Sequence, residues 1–320
     1  MARYVVKRFF LIIPVILFVS LIVFALVDLA PGDIVDMMNL ENMTIEEVAE
    51  LRHTYDLDKP LVYRWGKYMI KLLQGDLGVS QSSGYSVWEL YIYRLPNTLK
   101  LSLSALFFGT FCAIPLGIFA ARHAGSLLDN AVTFLVALGV CIPSFWLALI
   151  LLRLFSLNLN WFPAGGMNEG IKSMVLPVIC SSLMLMVFAT RQTRSSMLEV
   201  LRADYLRTAR AKGVPEQVVI HKHALGNALI PIITVIGNSL SASLAGSVII
   251  ENVFSWPGVG RLAVEGVTAR DTNLVLGTVI MTTIFYVLIQ IFVDIAYAFS
   301  DPRIKSQYVR PKKRKAAAEI

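Results

Sequence analysis

Cutting the 320-residue sequence at every Asp, Glu, Lys and Arg leaves six uncharged runs of at least 18 residues, and no other feature restricts the fold as sharply. They are Phe9 to Val27, Leu101 to Ala121, Asn130 to Leu152, Ser173 to Thr190, Ala224 to Ile250 and Thr272 to Val293. A helix rises about 1.5 Å per residue, so each run is long enough to cross the ~30 Å hydrocarbon core of a bilayer. A backbone in hydrocarbon must satisfy its own hydrogen bonds, so runs of this length predict helices rather than strands. Composition agrees: 56% hydrophobic and 16% charged residues, with mean hydropathy +0.65, leave too little polar surface for a soluble domain of this length. The expected class is an all-α membrane protein with six transmembrane helices.

Arg3, Lys7 and Arg8 precede the first run, as in a secretory signal, but 19 uncharged residues exceed the usual signal core and favour a retained anchor. An even number of spans puts both termini on one side. Of the 29 Lys and Arg, 18 fall in segments 1–8, 122–129, 191–223 and 294–320, which the positive-inside rule assigns to the cytoplasm. The remaining 11 lie in 28–100, 153–172 and 251–271, on the outer side. The net charge of +7 is thereby explained without nucleic acid, and the basic tail Arg310-Pro-Lys-Lys-Arg-Lys315 suits anionic membrane lipid. The expected organisation is an N-terminal tail and first helix (1–30), an extracytoplasmic segment (31–97), a five-helix core (98–299) containing a cytoplasmic loop (199–223), and a basic tail (300–320).

Cys112, Cys141 and Cys180 fall in three different runs and read as structural thiols. His221 and His223, two residues apart, point to different faces of a helix and make a poor metal pair, so no metal or other cofactor is expected in this chain. In the outer segment, Thr44 and Glu47 form a capping box ahead of Ile45, Val48, Leu51 and Tyr55. Beyond Pro60 a second amphipathic helix is expected, with Val62, Trp65, Met69, Leu72 and Leu73 on one face. These helices form a lid over the bundle, a dock for a solute-delivering protein, or both.

The six runs hold no carboxylate and no basic group, whereas ion-coupled carriers usually keep such a residue near mid-membrane. Asp28, Arg153 and Asp294 stand at span edges and read as anchors. The sequence also lacks a Gly-x-x-x-x-Gly-Lys-Ser/Thr phosphate loop, so ATP-driven work would need another polypeptide. The loop before the fifth span is suited to receive one. Leu201 to Lys212 is rich in helix formers, Gly213 suits a left-handed helix end, and Pro215 suits the start of a second helix. Tyr205, Leu206 and Ala209 would form an apolar plug rimmed by Arg207, Arg210 and Lys212. A plain basic loop obeying the positive-inside rule is the alternative.

The loop resembles the Glu-Ala-Ala-x-x-x-Gly coupling motif of bacterial ABC-importer permeases, which in that family inserts into a cleft on the ATP-hydrolysing subunit. With Gly213 aligned to the motif glycine, Ala209 matches the second alanine, but Arg207 replaces the glutamate and Thr208 the first alanine. Leu29-Ala-Pro-Gly-Asp33, Leu57-Asp-Lys-Pro-Leu61, Gly75-Asp-Leu-Gly-Val-Ser80 and Arg94-Leu-Pro-Asn-Thr-Leu99 are similar to the first permease of the dipeptide, oligopeptide and nickel branch. So are Ile142-Pro-Ser-Phe-Trp146, Glu251-Asn-Val-Phe-Ser-Trp-Pro-Gly-Val-Gly260 and Asp301-Pro-Arg303. The resemblance implies a non-enzymatic permease subunit in the bacterial cytoplasmic (inner) membrane. It also implies a second homologous permease, two ATP-binding subunits or domains carrying ATP and Mg, and an extracytoplasmic solute-binding protein.

In the fifth run, Ser239, Ser243 and Gly246 share a face with Ser247 beside it, and these small residues either pack helices closely or line the solute pathway. Pro143, Pro177 and Pro231 are candidate bends. Peptide is the expected solute, with a nickel chelate or other small solute as the alternative. An ion-coupled secondary transporter and a transport-inactive membrane scaffold are the competing classes.

Overall fold

The computed structural model of the protein describes residues 2–37 and 44–300, and the basic tail beyond residue 300 lies outside them. Helix α1 (Ala2–Leu29) is followed by a short 3-10 turn (Val35–Met37), α2 (Ile45–Thr54) and α3 (Leu61–Leu73). Then come α4 (Val87–Arg122), α5 (Leu127–Cys141), α6 (Ser144–Leu151), α7 (Ile171–Leu201) and α8 (Asp204–Ala211). The short α9 (Glu216–Val218) runs through a π turn, Val219–Ala224, into α10 (Leu225–Val253), and α11 (Val259–Thr268) and α12 (Thr272–Ser300) follow.

Helices α1, α4, α7, the α9–α10 segment and α12 are each long and apolar enough to cross a membrane. The run Asn130 to Leu152, expected as one span, is instead two helices bent by 100° between α5 and α6. Pro143 lacks the N–H that would continue the helix, and its ring drives Ile142 to an extended conformation (φ −84°, ψ 115°). Pro177 and Pro231, the other candidate bends, sit inside uninterrupted α7 and α10.

The tightest seam runs between α4 and α7. Helices in lipid gain little from hydrophobicity and associate by close van der Waals packing, which favours small residues. Helix α4 provides Ala105, Gly109, Ala113, Gly117 and Ala121, spaced by four and all buried. At Gly117 a β-carbon would fall 2.4 Å from Thr193 Cβ and 2.9 Å from the Thr190 carbonyl oxygen.

The end of the bundle opposite α8 carries the small helices. The Thr44–Glu47 capping box forms as expected, with bonds of 2.7 and 3.3 Å, yet α2 buries none of its residues. Helix α3 packs Trp65, Tyr68, Met69 and Leu72 against Phe24, Leu276 and Ile280, and the Trp65 indole donates to Ser20 Oγ at 3.1 Å. Val62 and Leu73, expected on that face, are 69% and 88% exposed. The face is rotated towards Tyr68 because α3 lies on both α1 and α12. Arg64 pairs with Asp28, and Arg52 with Asp33 and Asp36, tying the segment to the end of α1.

Two buried carboxylates, each next to the end of an apolar run in the sequence, hold this end together. Glu251, fully buried at the end of α10, accepts from Thr98 Oγ1 at 2.7 Å and from the Arg261 amide at 3.1 Å. Thr98 in turn accepts from the Val259 amide, Asn97 donates to the Pro257 carbonyl, and the Trp256 indole donates to the Asn97 carbonyl. The motifs Arg94–Leu99 and Glu251–Gly260 are therefore two halves of one interlock. Its glycines are required by space, since β-carbons at Gly258 and Gly260 would lie 2.4 and 2.9 Å from the Glu251 carboxylate. Asp271, also fully buried, caps α12 through the Leu274 amide and accepts from Ser80 Oγ, Ser82 N and Ser82 Oγ at 2.7–3.0 Å.

Candidate functional site

The loop between α7 and α10 is built as a short helix and a reversal. Ala203 turns extended (φ −71°, ψ 141°) and ends α7, and Asp204 opens α8 with an acidic first turn that complements the helix dipole. The helix is shorter than the expected Leu201–Lys212. Gly213 has φ +77° and donates to the Arg210 carbonyl at 2.9 Å, reversing the chain as expected. Pro215 sits one residue ahead of α9, and Arg210 grips Glu216 across the turn with two bonds of 3.0 and 2.9 Å. That bidentate pair raises the Arg210 pKa above its ordinary value.

Leu206 does not project as a plug. It is fully buried against Ile118, Met197, Val219 and Ile220, with Ala209 packed partly against the same cluster. An eight-residue helix lying on its own bundle must give its apolar stripe to that bundle. The exposed surface includes Asp204, Tyr205 (44% exposed), Arg207, Thr208, Arg210, Ala211, Lys212 and Gly213. Tyr205 accepts from Asn227 Nδ2 at 2.9 Å, which fixes its ring against α10.

Two cavities follow α7 and α10 along the bundle. A cavity of about 270 Å³ is lined by Ser144, Ser181, Ser239, Ser243 and Ser247 together with apolar residues of α4 and α7. Three of the four candidate pathway residues of α10 thus share one cavity, and Gly246 lies outside the residues whose surroundings are described. Towards α8 a wider cavity of about 810 Å³ is lined by Thr133, Arg191, Gln192, Arg194 and Asn238. Beside it Arg194 forms a fork-to-carboxylate pair with Asp129, with bonds of 2.6 and 2.7 Å, and Gly125 N adds a third at 2.9 Å. Asp129 is only 2% exposed, and its pairing with α7 could not be read from its position ahead of an apolar run. His221 bonds its own helix at the Gln217 carbonyl, and the three cysteines are free thiols.

Residues 113–306 match the family model described as binding-protein-dependent transport system inner membrane component, and residues 1–102 match the model of its N-terminal region. The chain is 36% identical to the oligopeptide transport system permease protein AppB of Bacillus subtilis, over 95% of this chain and 100% of that protein. It is 34% identical to the dipeptide transport system permease protein DppB of Escherichia coli K12, over 95% and 99%. Among solved structures, a chain of the inward-facing MetNI methionine ABC transporter shares the fold, with TM-score 0.57 and 18% identity over 67% of this chain and 97% of that one. Matched over nearly its whole length, the chain belongs to the family of binding-protein-dependent transport system inner membrane components, the permease subunits of ABC transporters.

Proposed function

We propose that this permease forms half of the solute pathway of an ATP-driven importer of di- or oligopeptides, with a second homologous permease forming the other half. The observation that carries the peptide assignment is identity of 34–36% over 95% of the chain with permeases of oligopeptide and dipeptide systems. The α8 end faces the cytoplasm, because the excess of Lys and Arg lies there. Its exposed face, Tyr205, Arg207, Arg210, Lys212 and Gly213, docks one of two ATPase subunits that bind ATP and Mg. Leu206 and Ala209 anchor α8 to α4, α7 and the π turn, so that movement of the docked subunit reaches the bundle. The opposite end, with α2, α3 and α11, receives the solute-binding protein.

Deleting the gene and measuring uptake of radiolabelled tri-alanine tests this reading. Uptake should fall to background and return with the wild-type chain. With Arg207→Glu and Lys212→Glu combined, the chain should reach the membrane but fail to co-purify with the ATPase. Undiminished uptake in the deletion strain under conditions that express the gene would refute the peptide assignment.

A further inference from the structure

The two cavities meet at one level of the bundle. Helices α7 and α10 run in opposite directions, yet both divide their cavity-lining residues at the same place. On α7, Cys180, Ser181 and Met184 line the hydroxyl-rich cavity, while Thr190, Arg191 and Arg194 line the cationic one. On α10, Ser243 and Ser247 line the first, while Val235 and Asn238 line the second. Phe188 of α7 and Ser239 of α10 line both. Between Val235 and Ile250 the combined path follows α10 for about 22 Å, most of the ~30 Å hydrocarbon thickness.

The residues on either side of this level differ in chemistry. Five serines line the upper cavity with neutral polar groups. Ser239 Oγ donates to the Val235 carbonyl at 2.8 Å and keeps its acceptor capacity, and the hydroxyl of Ser181 is buried there with no hydrogen-bond partner in the chain. In the lower cavity the exposed Arg191 and Asn238 and the partly exposed Gln192 supply a charge and strongly polar amides. Phe188 is the bulky apolar side chain common to the two, and it is half exposed rather than locked in the core. Both cavities have largely apolar walls carrying a few polar groups, and a large apolar side chain where they meet disfavours water at the junction, as in hydrophobic constrictions that gate by dewetting.

We infer that Phe188 is the valve of this half of the pathway, closing the hydroxyl-lined upper compartment from the cationic lower one until the helices move apart. The assignment of these compartments to solute passage rests on the importer reading above. In the sealed state the α8-side solution reaches Ser239 but not Ser243, one helical turn farther on.

The test is cysteine accessibility in the assembled transporter. Cys112→Ala, Cys141→Ala and Cys180→Ala remove the native thiols, and Ser239→Cys or Ser243→Cys supplies one new one. A charged, membrane-impermeant methanethiosulfonate is applied from the α8 side of inside-out vesicles without nucleotide. The thiol at 239 should react at least about tenfold faster than that at 243, which corresponds to about 1.4 kcal/mol of access barrier. Phe188→Ala should bring position 243 to within about threefold of 239, with Phe188→Leu intermediate. Phe188→Leu also serves if the alanine variant does not assemble. Equal rates at 239 and 243 with Phe188 present, or an unchanged rate at 243 in both variants, would overturn the valve. Labelling needs no solute, so this pattern in a transporter that ignores tri-alanine would keep the valve and remove only the peptide assignment.

Discussion

Replacing Arg194 with methionine should destabilise the protein more than replacing its partner, Asp129, with asparagine. The asymmetry follows from burial. Asp129 is 2% exposed and Arg194 33%, so a carboxylate left behind cannot reach water, whereas a guanidinium left behind can swing into the adjacent cavity. Arg194→Met removes two charge-assisted bonds, of 2.6 and 2.7 Å, and leaves the carboxylate with only neutral donors, the Gly125 amide at 2.9 Å and the Thr133 hydroxyl. Breaking a buried pair in this way costs about 3–5 kcal/mol. Asp129→Asn keeps the shape and one acceptor, so its cost is that of weakened bonds to a charged group, about 1.5–3 kcal/mol. The pair joins the first turn of α5 to α7, so melting of the detergent-purified complex, followed through tryptophan fluorescence, should register both. The expected order is Arg194→Met lowest, at a depression on the order of 10 °C, then Asp129→Asn. The double variant Arg194→Met, Asp129→Leu should lie above Arg194→Met because no charge remains buried. If Asp129→Asn is the more damaging single change, or the double variant is no better than Arg194→Met, desolvation of Asp129 is not what makes this pair matter.

Gly117→Ala should cost about 1–3 kcal/mol by forcing α4 from α7, since the new methyl meets Thr193 Cβ and the Thr190 carbonyl oxygen. Gly109→Ala meets chiefly the movable end of Leu185, at 2.8 Å, and should cost less, so equal losses of membrane-inserted protein would argue against this account of the seam. At Gly213 an added β-carbon meets no atom within 4 Å, so the strain there comes chiefly from φ +77°. Gly213→Val should strain the reversal by about 1–2 kcal/mol and speed hydrogen exchange in α8 while Gly213→Asn largely spares it, and identical exchange in both variants would contradict the assignment. Glu47 is held below its ordinary value by hydrogen bonds from the Thr44 amide and hydroxyl, so the cap on α2 is complete above the unfolded-state value and is lost as pH falls through the lowered one. Acid should therefore accelerate exchange at the start of α2 in the wild type and change it far less in Glu47→Gln.

The membrane class, most of the helices and the helix reversal were legible in the sequence because each depends on residues near one another along the chain. Gly213 reverses the backbone and Thr44–Glu47 caps α2 through contacts spanning a few residues, so pattern and structure coincide. Helix α11 escaped the reading because its ten residues are too few and too polar to register as a run, and it is stabilised by Glu251 and Thr98 from elsewhere in the chain.

What the sequence by itself determined was which segments must leave water, because hydrocarbon length and backbone hydrogen bonding act on any uncharged run regardless of its neighbours. Which proline would interrupt a helix was a tertiary matter. Pro96, Pro115, Pro177 and Pro231 continue within helices, while Pro143 starts a new one at 100° to the last. The direction of Leu206 was tertiary too, since the same apolar stripe would serve a partner's cleft or the protein's own bundle until α4, α7 and the π turn surround it. So was the fate of Glu251, Asp271 and Asp129, whose carboxylates look like ordinary edge charges in sequence. They are tolerated in the interior because Thr98, Ser80, Ser82 and Arg194, from distant parts of the chain, supply the hydrogen bonds that water would otherwise provide.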